Sequence, residues 1–223
     1  MPAKTKECPF ADVTKDVAEL ESGYIRCPFH LHRQGANAMA KTNVKFETKS
    51  GRFVTSAKTT KLLEDIGGSD KIREFATRFY AHGFLDSTLK PFFFLDDGAT
   101  AHGQRLADFI IQEMGGDVVG SHFWGAAHAK ARNCSKRHPS VRGNNFNVVD
   151  SRTWMRLHFW AARECGFHLH RAFWRWYISF IQHHIAFYTD SAASFTYEDS
   201  VWSMHQHNID AYVQNGHRMP DFE

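Results

Sequence analysis

Cysteine is scarce in this chain. Its four thiols, Cys8, Cys27, Cys134 and Cys165, are widely spaced, and none forms a Cys-x-x-Cys pair. That count and spacing argue against a disulfide-stapled scaffold and against a zinc site built on thiolates. No apolar run approaches the ~20 residues that a membrane span needs. The first residues, MPAKTKECPFADVTKD, contain no apolar signal core and no Arg-rich transit bias. A soluble intracellular protein is expected, with cytoplasm or organelle left open. Charge of one sign is also missing: 27 basic residues stand against 24 acidic ones, with the basic ones scattered. No nucleic-acid partner is expected from such a balance. The chain has no Glu-x-x-His, so the usual ligand pattern of a carboxylate di-metal bundle is absent. It also has no Ser/Gly linker and no low-complexity tract.

Aromatic residues and histidine are plentiful. Twenty Phe, six Trp and fifteen His accompany a hydrophobic fraction of 43 %. This is ample for a core or for an apolar cofactor pocket, and imidazoles in that number offer metal ligands. At 223 residues, the chain suits one domain with extensions.

Helical periodicity dominates from Lys61 onward. Ile72, Phe75, Ala76, Phe79 and Tyr80 share one face of a helix expected near 71–82, with Ser69 placed to cap it. Asp86-Ser87-Thr88 and Pro91 break it, and Phe92-Phe93-Phe94 follows. A second helix near 99–114 carries His102, Leu106, Phe109 and Ile110, and stops at Gly115-Gly116. Beyond lies a mixed segment in which Gly125 to Cys134 has weak helical character. Ser151 to Cys165 reads as a helix with Trp154, Leu157, Ala161 and Cys165 along one side, ended by Gly166. Arg171–Tyr188 carries a continuous aromatic stripe. The tail suggests one further helix, Tyr197–Gln214. Upstream, a short helix over Val13–Leu20 is expected, and Cys8-Pro9-Phe10 is echoed by Cys27-Pro28-Phe29. The alternation Asn43 to Thr48, then Ser50-Gly51 and Phe53-Val54, suggests a hairpin.

The order Gly-Gly, Phe-Tyr, Pro-Phe-Phe, then a His-bearing helix closed by a second Gly-Gly resembles the truncated haemoglobins, the two-over-two globin family. The resemblance is clearest over Lys61–Gly116 and looser to about Tyr188. It implies an all-α, globin-like two-over-two helical sandwich over residues 58–190. An extension over 1–57 and a helical tail over 191–223 flank it. It also implies haem b, with iron held by a proximal histidine and opposed by a diatomic gas such as dioxygen. Ala126-Ala127-His128 is the first candidate for that ligand, His138 in Lys136-Arg137-His138-Pro139 the alternative, and His122 a third choice. On the distal side the family pattern places Tyr80 as a hydrogen-bond donor and His102 at the gate. Leu106 and Phe109 would be apolar walls, and Phe93 the corner ring against the porphyrin. Trp154 resembles a second distal donor used in some branches, but it lies 26 residues after His128 and 16 after His138, a wider gap than those branches keep. Lys130, Arg132, Lys136, Arg137 and Arg105 could meet propionates. Turnover of the nitric oxide dioxygenase or peroxidase kind would need a reductase or another protein partner. The alternative expectation is a globin-like structural or docking subunit without haem.

Overall fold

A computed structural model describes residues 44, 46–49, 52–93, 98–118, 133, 135, 139–143 and 146–222. The fold is mostly α-helical, with seven α-helices among the described residues. The expected hairpin is present as a two-residue antiparallel ladder, with Thr48 opposite Phe53 and Lys49 opposite Arg52. The expectations for Val13–Leu20, for Gly125–Cys134 and for both Cys-Pro-Phe sites lie outside the described residues.

The first helix among the described residues, α1 (Ala57–Asp65), has no counterpart in the sequence reading. Ser56 starts it through a reciprocal capping box with Thr59. Only Thr59, Leu62 and Leu63 of this helix are buried, so its apolar stripe is faint. A tight turn through Gly67 (φ 107°) and Gly68 (φ 75°) leads into α2 (Gly68–Leu85). Two successive left-handed residues are readily tolerated only by glycine. Ser69 therefore lies inside α2 rather than capping it, and Gly67 occupies the cap position without a side-chain bond.

Helix α2 buries Ile72, Phe75, Ala76 and Phe79, the face read from the periodicity, and continues to Phe84. It ends at Asp86, whose Oδ1 accepts from the backbone N–H of Thr88 (2.9 Å) and Leu89 (2.8 Å). A 3-10 turn, Lys90–Phe92, then delivers Phe93. Helix α3 (Gly98–Glu113) packs back on α2, which is the most extensive helix pairing in the fold. The last carbonyls of α3 lack intrahelical donors. Thr55 donates to Glu113 O at 2.8 Å and Thr60 to Met114 O at 3.2 Å, so α1 closes that end.

Helices α2 and α3 approach closely at Gly103. A Cβ built there would lie 3.0 Å from both N and Cα of Thr77 and 3.1 Å from the Ala76 carbonyl carbon. Those are backbone atoms, so they cannot rotate aside. Ala would improve helix propensity by about 1 kcal/mol, but overpacking costs about 1–3 kcal/mol. Gly103→Ala is expected to lower stability by up to about 2 kcal/mol in urea unfolding, the overpacking cost less the propensity gain. A more stable variant would show that the crossing can widen freely.

Helix α4 (Val148–Glu164) begins with a second capping box, Asn147 with Asp150, and is buried on nearly every side. It contacts α2 through Phe79–Trp154, with ring centroids 5.5 Å apart, and through His82, whose Nε2 lies 3.0 Å from Glu164. After Gly166 and a 3-10 turn comes α5 (Arg171–Ala186), capped by His170 Nδ1, which accepts from Phe173 N–H at 3.0 Å. Its stripe of Phe173, Trp176, Tyr177, Phe180 and Ile181 is buried.

The tail differs from the single helix expected. It forms a 3-10 turn (Asp190–Phe195), α6 (Thr196–Trp202) and α7 (Gln206–Gln214), broken over 203–205. Trp202, Tyr212 and Met219 all belong to the hydrophobic core, and α6 packs on α4. Tyr212 donates from its hydroxyl to Asp86 Oδ2 at 3.0 Å. The C-terminal segment thereby holds the corner that carries Phe93. No described helix is long and apolar enough to cross a membrane.

Candidate functional site

Tyr80, Phe84, Phe93 and His102 come together where α2, the following corner and α3 meet. Tyr80 lies 5.1 Å from both Phe93 and His102, centroid to centroid, and Phe93 lies 5.7 Å from His102. Phe84 closes the group at 5.2 Å from Phe93 and 5.6 Å from His102. Gly83 makes room for the corner ring: a Cβ there would meet Phe93 Cε2 at 2.7 Å. His102 and Phe93 are buried, and Tyr80 is partly buried.

Desolvation pushes the Tyr80 phenol well above its ordinary range. The nearby Tyr188 pushes in the same direction, while Arg105 opposes it. The phenol therefore keeps its proton at any physiological pH and remains a donor. Arg105, one turn after His102, is close enough to act on that hydroxyl electrostatically.

The remaining expected residues are distributed around this cluster. Leu106 is partly buried against the core. Phe109 lies farther along α3, against Phe180 (6.3 Å) and His184 (5.2 Å) of α5. Trp154 is separated from Tyr80 by Phe79, which lies 4.9 Å from Tyr80 and 5.5 Å from Trp154. Its flat face stacks on His158 at 4.3 Å. The candidate iron ligands His128, His138 and His122 lie outside the described residues, as do Phe94, Lys130, Arg132, Lys136 and Arg137.

Haem needs an axial ligand for its iron and apolar walls, and its ligand side takes either an open position or hydrogen-bond donors. Phe84 and Phe93 provide rings, and Tyr80 provides a protonated phenol beside the His102 imidazole. This donor set has the chemistry of such a ligand side, with its rings packed directly on one another. Among the described residues, no cluster of three or more His, Cys, Asp or Glu side chains is placed to hold a metal ion.

Two residues that the sequence reading did not assign to a site stand out in the core. His158 is fully buried, and its Nε2 lies 2.5 Å from the Tyr177 hydroxyl. Its Nδ1 has no hydrogen-bond partner among the described residues. Burial depresses the imidazole from its usual value to about 3. His184 of α5 is likewise lowered to about 4, first by burial and then by the neighbouring His183. The only sequence cue to the His158 pair was spacing, one turn after Trp154 on the same helix.

Compared with known proteins, the chain matches no family model, no curated protein and no solved structure.

Proposed function

We propose that the chain is a haem protein of the truncated-haemoglobin kind that binds dioxygen or another diatomic ligand. The observation that carries this reading is the meeting of Tyr80, Phe93 and His102, three residues separated in sequence, in one desolvated cluster. Contacts of α2 with α4 and of α3 with α5 support a two-over-two arrangement. Bound haem b would supply an iron able to take the diatomic ligand, held by His128 or, alternatively, His138.

The chain's own residues would do the rest. Tyr80 would offer its phenol O–H as a hydrogen-bond donor to a bound diatomic ligand, and low dielectric would strengthen that bond. His102 donates beside it or controls access. Phe84 and Phe93, with Leu106 one turn beyond His102, would exclude water. Turnover as a nitric oxide dioxygenase or peroxidase belongs to the same reading and requires an electron-donating partner.

Absorption spectra of the ferric and ferrous protein after haem loading test this directly, and a missing Soret band would end it. Given haem binding, Tyr80→Phe is expected to speed dioxygen dissociation. Losing one hydrogen bond of about 1–2 kcal/mol corresponds to roughly 5- to 30-fold. An unchanged off-rate, measured by stopped flow, would place the hydroxyl away from the ligand.

One observation favours a second reading, a globin-like structural or docking subunit. The rings of Tyr80, Phe84, Phe93 and His102 contact one another, so the cluster is packed by its own side chains. The same spectrum separates the two readings.

A further inference from the structure

The core beneath Tyr80 holds a run of packed rings in which the oxidisable groups are Trp154, Tyr177 and Trp176. Trp154 stacks on His158 at 4.3 Å with planes 26° apart. The His158 ring is nearly parallel to Tyr177 (21°, centroids 5.7 Å), and its Nε2 lies 2.5 Å from the Tyr177 hydroxyl. Tyr177 in turn stacks near Trp176, centroids 6.4 Å apart at 28°. Phe180 bridges these two rings, 5.9 Å from Tyr177 and 5.1 Å from Trp176. Trp176 lines an open groove of about 570 Å³ together with Val44, Phe46, Arg175 and His183. At the other end, Phe79 separates Trp154 from Tyr80.

A buried phenol next to a buried imidazole has a specific chemical capacity. Burial pushes the Tyr177 phenol far above its usual range, so it does not ionise to phenolate. It can lose an electron only if its proton leaves at the same time, because a protonated phenol radical cation is a very strong acid. In the tautomer that carries its proton on Nδ1, the His158 Nε2 at 2.5 Å is the acceptor in place. The low basicity of His158 toward solvent does not prevent this, since the oxidised phenol is far more acidic than a buried imidazolium.

We propose that Tyr177 and His158 form a redox-active pair that stores one oxidising equivalent, exchanged through Trp154 on one side and Trp176 on the other. In the step, a high-potential metal-complex oxidant, such as a trivalent polypyridyl ruthenium ion, takes one electron from the indole of Trp176 or Trp154. Tyr177 refills that indole by giving up one electron. Its O–H bond breaks, the proton forms an N–H bond at His158 Nε2, and a neutral tyrosyl radical remains hydrogen-bonded to the imidazolium. The oxidant is reduced by one electron, and no atom leaves the protein. The pair is distinct from the Tyr80–His102 cluster, and the inference stands apart from the haem reading.

The test uses the full chain with an external oxidant, the trivalent tris(bipyridine)ruthenium ion made by flash photolysis with persulfate, followed by electron paramagnetic resonance. A persistent neutral tyrosyl signal is expected, with a coupling to one exchangeable proton that disappears in deuterated water. The persistent signal should be lost in Tyr177→Phe and in His158→Leu. It should be unchanged in Tyr197→Phe, which removes a phenol that is 72 % exposed. A persistent radical that survives Tyr177→Phe would overturn the proposal. So would a parent radical with no exchangeable-proton coupling, a result that does not depend on either variant folding. Because the oxidant is supplied from outside, a protein without haem can still show the radical, and a haem-loaded protein can still fail to.

Discussion

Asp199→Asn is expected to lower the stability of the protein by roughly 3–5 kcal/mol, the usual result of removing one partner from a buried ion pair. Asp199 is fully buried on α6 and receives two arginines from α4. Arg156 Nε donates to its Oδ1 at 2.9 Å, and Arg152 contacts both carboxylate oxygens at 2.9–3.3 Å. Arg156 is itself only 3 % exposed. Its guanidinium lies 4.2 Å from the Phe222 ring and 5.6 Å from Trp202, which holds it in place but does not neutralise it. Asp221 offers a second carboxylate at 2.7 Å, so the loss should fall toward the lower end of the range. Burial raises the Asp199 carboxyl and the two arginines pull it back down, so the ionised form depends on them. Urea unfolding followed by tryptophan fluorescence is the measurement. Asp199→Leu combined with Arg156→Met should recover much of the loss, because the uncompensated charge is then gone. A loss below about 1 kcal/mol for the single variant would mean that the network is no stronger than an exposed ion pair.

The second large effect is acid destabilisation through His158. Its imidazole is depressed from 6.5 to about 3 by burial alone. As pH falls, the unfolded chain binds this proton first, so the unfolded state gains from each step down through the window between those values. Stability is therefore fully present above about pH 6.5 and lost progressively toward pH 3. From pH 7 to pH 4, the loss from this one group is on the order of 3 kcal/mol. His184, lowered to about 4, acts in the same direction. Carboxylates also titrate over this range, so the check is a comparison. His158→Leu should flatten the stability curve between pH 7 and pH 4 relative to the parent, whatever its stability at neutral pH. Two parallel curves would mean that water reaches the imidazole in the folded protein.

Much of the helical layout was legible in the chain. The periodicity of Ile72, Phe75, Ala76 and Phe79, and that of the Phe173–Ile181 stripe, marked faces that the structure buries. These helices each present several large apolar residues to one side, so local pattern and tertiary demand agree. Helix α1 escaped notice because only three of its positions are buried and its capping box uses Thr59 in place of the usual Glu or Gln. The break over 203–205 also left no trace, since Ser203, Met204 and His205 include no Gly or Pro. It follows instead from Trp202 and Tyr212 both entering the core, where they meet edge to face at 6.1 Å.

The sequence by itself determined the helical class, the α2 and α5 faces, the corner at Asp86, and the grouping of aromatic and imidazole residues that motivates the haem reading. Those properties are set by spacing along a single helix or turn, within reach of local rules. Only the tertiary structure decided that Tyr80, Phe93 and His102 meet while Phe109 lies elsewhere. It also decided that Tyr212 reaches back to Asp86, that Asp199 lies between two arginines, and that His158 faces Tyr177. Each of these contacts joins separate elements across the core, up to 126 residues apart for Tyr212 and Asp86. No local pattern encodes which buried polar groups will find one another. That choice is made when the helices pack, because a buried donor or charge left without its partner is too costly to keep.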